Sequence, residues 1–129
     1  MWQETGFLKF LREKRLDRGL TVRDMADKSG VSPGYYSDFE SGRRNPPDRE
    51  ILDRMAAALH LMDGDRLKLY DLAASARSEA PPDLPDYINE NEKVRIALRL
   101  AKDVGDAGVW DRFIYFLEHE RGSRNYGRA

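Results

Sequence analysis

The chain has no cysteine, only two histidines and no long apolar run, and each shortage closes a class of function. Without cysteine there is neither a disulfide framework nor a thiolate metal site, and a reducing, intracellular setting is expected. His60 and His119 fall in different predicted helices with no neighbouring ligand spacing, so no metal and no cofactor is expected. No stretch approaches the roughly 20 apolar residues of a membrane span. The start, MWQETGFLKF, lacks the basic segment and apolar stretch of a signal peptide, so a soluble, cytoplasmic protein is expected. No nucleophile stands at motif spacing from a base and no glycine-rich phosphate loop is present, so the reading is not an enzyme. Charge of one sign is missing too. Lys and Arg number 22 against 23 Asp and Glu, and residues 1–60 hold eleven basic and ten acidic side chains. A nucleic-acid site would have to be a local patch.

What is present is helical periodicity. A chain of 129 residues, 40% hydrophobic, can bury one compact core or one small domain with an appendage. From Phe7, the apolar Leu8, Leu11 and Leu16 are read as one stripe of a helix over about 5–18, which Gly19 ends. Thr21 caps a short second helix near 22–29, with Asp24 three residues on and Val22, Met25 and Ala26 as its apolar face. Ser32 caps a third, with Pro33 at the first helical position, and Ser41-Gly42 close it. Asp48 opens a fourth, with Ile51, Leu52, Met55, Ala56 and Leu59 on one face. Asp63 or Asp65 opens a fifth, with Leu67, Leu69, Tyr70 and Leu72. No strand pattern competes, and the fold class is all-α.

Composition shifts at SARSEAPPDLP, residues 75–85, where three prolines in five residues forbid a continuing helix. The expected division is a domain over 1–76, a linker over 77–85 and a C-terminal helical segment over 86–129. In that segment PDYINE can form a single turn, a helix is expected over about 92–104 and another over about 109–121, and the tail GSRNYGRA is expected to fray. Trp110, Phe113, Ile114 and Leu117 recur at helical spacing and are candidates for dimerisation. Two helices alone bury little, so they must pack on the N-terminal domain, on a second copy, or both. An effector pocket lined by Trp110, Tyr115 and Phe116 is a weaker possibility.

The segment VSPGYYSDFESGRRNPP, residues 31–47, is short, poorly greased on one face and basic at its exit. Two short helices joined by Ser29-Gly30-Val31-Ser32 outline a helix-turn-helix, whose second helix enters the DNA major groove. GLTVRDMADKSGVSPGYYSDFESGRRNPP resembles the DNA-binding core of the Cro/cI-like (XRE-family) repressors, and the resemblance runs through about residues 7–72. It is carried by Gly19-Leu20-Thr21, Met25-Ala26, Gly30-Val31-Ser32 and the run from Tyr36 to Arg44 followed by prolines.

The resemblance implies a five-helix lambda-repressor-like domain, followed here by the Pro-rich linker and a two-to-three-helix segment. It also implies a sequence-specific transcriptional regulator, a repressor, with double-stranded DNA as partner and a homodimer as working form. The DNA-facing residues it implies are Thr21, Val22 and Arg23 at the start of helix two. Along helix three they are Ser32, Pro33, Gly34, Tyr35, Ser37, Asp38 and Ser41, and in the loop beyond it Arg43, Arg44 and Asn45. It pairs Glu40 with Arg15 as a structural ion pair. Val22, Pro33 and Gly34 stand where the best-known repressors often carry glutamine, so van der Waals contact and shape readout are expected to carry much of the selectivity. The alternative is a protein-interaction module, an antitoxin or adaptor using the same core, and an unknown protein or small-molecule effector is a further possible partner.

Overall fold

The computed structural model describes the backbone of residues 6–126 and the side chains of residues 6–123. Among them are eight helices and no strand: α1 (Gly6–Asp17), α2 (Val22–Ser29), α3 (Pro33–Ser41), α4 (Arg49–Ala58), α5 (Asp63–Arg77), α6 (Pro85–Glu90), α7 (Glu92–Val104) and α8 (Ala107–Tyr126). They form two compact units, one reaching to Asp86 and one beginning at Tyr87, with α6 across the boundary.

Helix ends are set by local chemistry. Thr21 and Asp24 form a reciprocal capping box: Asp24 N–H donates to Thr21 Oγ1 at 3.0 Å and Thr21 N–H to Asp24 Oδ2 at 2.9 Å. The bond from the Thr21 N–H to the ionised carboxylate, followed by the Thr21 hydroxyl, holds the Asp24 pKa below its ordinary value. Gly30 at φ 74° ends α2, and Val31 N–H returns to Ala26 O at 3.0 Å. Ser32 Oγ accepts from Tyr35 N–H, Asp48 Oδ1 from Ile51 N–H, and Pro33 takes the first position of α3. The end of α4 is capped from outside: Arg18, just past α1, donates to Leu59 O at 2.9 Å and to His60 O at 3.2 Å. A cation there meets the negative end of the helix dipole.

The core of the first unit is Phe7, Leu8, Phe10 and Leu11 of α1, Met25 and Ala26, Tyr36 and Phe39, Leu52, Met55 and Leu59, and Leu69, Tyr70 and Ala73 of α5. In it α2 packs on α3 and α4, and α1 on α3 and α5. Leu16 is not part of the core. It stands 60% exposed, because five residues past Leu11 it has turned about 140° away at 3.6 residues per turn. Arg15 occupies the inward position instead, and Phe10 is the buried residue that the stripe omitted. Leu67 is likewise exposed, while Ala73 and Ala74 carry the buried face of α5 further toward its end. Met62 precedes α5 without a side-chain cap, and Asp63 is its first helical residue.

Ser29 Oγ is fully buried with no hydrogen-bond partner among the described residues. An unpaired buried hydroxyl loses its water without compensation. Ser29→Ala is therefore expected to stabilise the domain by about 1 kcal/mol, raising the melting temperature by several degrees in a thermal scan. An unchanged or lower melting temperature would show that the hydroxyl is satisfied.

The second unit is built differently. No residue of α7 is buried, and Ile96, Leu100, Val104, Trp110, Phe113, Ile114, Phe116 and Leu117 are all exposed. An apolar cleft of about 260 Å³ runs between Ala97, Leu100, Ala101 and Val104 of α7 and Val109, Trp110 and Phe113 of α8. Asp106 starts α8 two residues earlier than expected by accepting from Gly108 N–H at 2.9 Å. The helix then continues through Gly122, which lacks the positive φ that ends a helix at Gly19, Gly30 and Gly105, so it runs to Tyr126 where a stop at 121 and fraying were expected. The last three residues of that tail lie outside the described residues. Among the described residues no helix is long and apolar enough to cross a membrane.

Candidate nucleic-acid interface

The candidate interface is the outer side of α3, its approach from α2 and its exit loop. Tyr36 and Phe39 anchor α3 in the core, which leaves Ser32, Pro33, Gly34, Ser37 and Ser41 exposed along the other side. A Cβ added at Gly34 would meet nothing within 4 Å, so this glycine is not required by packing inside the chain. Pro33 has no N–H and the Tyr35 N–H is taken by Ser32 Oγ, so the first turn of α3 leaves the Gly34 N–H as its outward donor.

Glu40 and Arg15 fix the position of α3 against α1. Arg15 Nε donates to Glu40 Oε2 at 2.8 Å and Nη2 to Oε1 at 3.1 Å, a bidentate pair, while Nη1 donates to Leu20 O at 2.9 Å. The two side chains are only 12% and 9% exposed. The hydrogen bonding to Glu40 outweighs burial and holds the Arg15 guanidinium above its ordinary pKa. Tyr36 Oη is buried beside the pair without a well-formed hydrogen bond of its own, and burial, followed by the adjacent Glu40 carboxylate, pushes its pKa up.

The exit loop is also fixed. Gly42 turns the chain at φ 80°, Pro46 and Pro47 are buried, and Arg77 of α5 donates to Pro46 O at 2.9 Å. Arg43 is exposed and makes no ion pair among the described residues. Arg44 lies 4.2 Å from the Tyr35 ring centroid and 3.6 Å from Asp38 Oδ2. Tyr35 is half-buried, edge-on to Phe39 at 5.0 Å, so it serves as a platform for Arg44 more than as a free groove-facing side chain.

The residues expected at the start of α2 are placed as follows. Arg23 is exposed, Val22 packs partly on the core, and the Thr21 hydroxyl is engaged in the capping box. Ser41 Oγ donates back to Asp38 O at 3.3 Å. Asn45 is exposed. Sequence reasoning missed the Tyr35–Asp38–Arg44 cluster. The signal was there in part, since Tyr35 and Asp38 are three apart and share a helix face. Among the described residues no group of three or more His, Asp or Glu could hold a metal ion.

A helix-turn-helix domain family matches residues 7–69, the stretch that holds α1 to α4 and the start of α5. The chain belongs to the XRE-like helix-turn-helix family. Transcriptional regulator ClgR of Mycobacterium tuberculosis is 41% identical over 51 residues, 40% of this chain and 45% of that protein. HTH-type transcriptional regulator DdrOP3 of Deinococcus deserti is 35% identical over 79 residues, 60% of each chain. This chain therefore spans about half to three-fifths of the length of these regulators. A solved structure of the clp gene regulator ClgR from C. glutamicum is 36% identical, covers 57% of this chain and 90% of that one, and superposes with a TM-score of 0.45. The helix-turn-helix family accounts for the capped α2, the Gly30 turn and the short α3.

Proposed function

We propose that this chain is a sequence-specific DNA-binding transcriptional regulator, a cytoplasmic repressor that lays α3 in the major groove of double-stranded DNA and works as a homodimer. The observation that carries the reading is the outer side of α3, small and open at Ser32, Pro33, Gly34 and Ser37, leading into Arg43 and Arg44. A groove-entering helix needs side chains that let the backbone approach base edges, and its exit needs cations beside phosphate. Thr21, Arg23 and Asn45 flank that surface and contact the DNA backbone, and the half-buried Val22 supports it. Trp110, Phe113, Ile114 and Leu117 join two copies, so that two α3 helices reach half-sites about one helical turn apart.

Fluorescence anisotropy with DNA from upstream of its own gene tests this. Binding weakens with salt at a slope of about −0.9 per phosphate neutralised, and Arg43→Ala makes that slope shallower by about 1 without lowering the melting temperature. Gly34→Ala separates folding from binding. It removes a helical glycine at no steric cost, so the domain gains about 0.5–1 kcal/mol, while its methyl group stands where DNA must approach and weakens the complex. A salt-independent complex, or none, points instead to the protein-interaction module.

A further inference from the structure

We propose that Asp38 is a positioning residue that sets DNA selectivity, by holding Arg44 on the Tyr35 ring so that DNA must displace an internal carboxylate before Arg44 can engage it. The inference rests on the helix-turn-helix reading above. A carboxylate on the exposed side of a recognition helix is otherwise a liability, because it repels every phosphate it meets and accepts only from a donor such as cytosine N4.

The geometry gives it a purpose. Tyr35 and Asp38 lie three residues apart on α3, and the turn at Gly42 brings the chain back so that Arg44 N–H donates to Asp38 O at 3.3 Å. The Arg44 guanidinium then sits over the Tyr35 ring at 4.2 Å, with Nη2 3.6 Å from Asp38 Oδ2. Tyr35 cannot swing away freely, since Phe39 holds its ring edge-on from the core. Asp38 is 30% and Arg44 47% exposed, so the pair is reachable by solvent and by a ligand, and weak enough to be opened. Arg43, next in the chain, has no such partner among the described residues. One arginine of the exit loop is thus free to gather any DNA, and the other is held.

Held in this way, Arg44 makes the carboxylate a toll on all DNA alike. Every sequence offers phosphate, so only a site that presents the guanidinium with a guanine edge, a bidentate acceptor that other sequences lack, recovers the loss. Selectivity then comes from penalising the wrong sequence as well as rewarding the right one.

The test measures anisotropy of the full chain with a random-sequence duplex and with a duplex from upstream of its own gene, across a salt series. Asp38→Asn is expected to tighten random-duplex binding about fivefold and steepen its salt slope by about 0.9, one phosphate contact, while the ratio between the two duplexes falls. Asp38→Glu restores the parent ratio. On an Arg44→Ala background Asp38→Asn leaves the slope unchanged, because there is no longer an arginine to release. The Arg44 Nε–H proton, shifted by the Tyr35 ring current in the parent, moves toward its free value in Asp38→Asn without DNA. If the parent binds but Asp38→Asn alters neither random-duplex affinity nor slope, or alters the slope equally without Arg44, this inference fails and the DNA reading stands. A parent that binds neither duplex overturns both.

Discussion

Glu40→Ala lowers the melting temperature of the first unit by roughly 12–24 °C, the response of a 60–100-residue domain to a loss of about 3 kcal/mol. The loss comes from what is left behind. Arg15 and Glu40 are joined by two hydrogen bonds and shielded from water to about nine-tenths of their side-chain surface. Removing the carboxylate leaves a guanidinium that can neither deprotonate nor leave its place without pulling on α1. Breaking a buried pair typically costs about 3–5 kcal/mol, and the lower end applies because Arg15 keeps its bond to Leu20 O and some access to water. A circular-dichroism melt of Glu40→Ala checks the magnitude. Replacing both partners with apolar residues recovers most of the loss, since no charge is then stranded. A fall of less than about 3 °C in Glu40→Ala would mean that the pair behaves as a solvated one.

Ending the chain after Asp86 removes the second unit and is expected to yield a folded monomer whose apparent DNA affinity is at least about a hundredfold weaker. The head keeps its fold because every buried hydrophobic side chain among the described residues belongs to it. The lost unit cannot be a self-sufficient domain, for it buries no residue of α7 and exposes Trp110, Phe113, Ile114 and Leu117 on the first turns of α8. In the proposed homodimer this surface is covered, and linking two DNA-binding heads makes the second contact intramolecular. Sedimentation and anisotropy of both chains decide the matter. Full-length protein that sediments as a monomer at micromolar concentration, or a truncated chain that binds DNA as tightly, would sink the homodimer.

What the sequence determined by itself is whatever depends on neighbours along the chain. The capping box of Thr21 and Asp24, the Ser32-Pro33 start and the left-handed Gly30 involve bonds across three to five residues, so α2, its turn and α3 were legible before any packing was known. The motif resemblance rests in part on the same residues, Thr21, Gly30 and Ser32. Periodicity failed where the rotation of a helix about its axis mattered. Leu16 lies off the face of Phe7, Leu8 and Leu11 by helix geometry alone, whereas Phe10, at the edge of that face, is turned in by the packing of α1 against α3 and α5. Gly122 reads as a stop, yet it acts as one only if its backbone adopts positive φ, which it does not.

The tertiary structure alone decided the contacts made by chain reversal. Arg18 reaches the end of α4 across 41 residues, Arg77 reaches Pro46, and Arg44 folds back over Tyr35 and Asp38. The positions of Arg43 and Arg44 in sequence are equivalent, adjacent cations after a glycine. They part company because the turn at Gly42 aims only the second at an aromatic ring and a carboxylate, and the direction of a side chain leaving a loop is fixed by the path of the backbone in space.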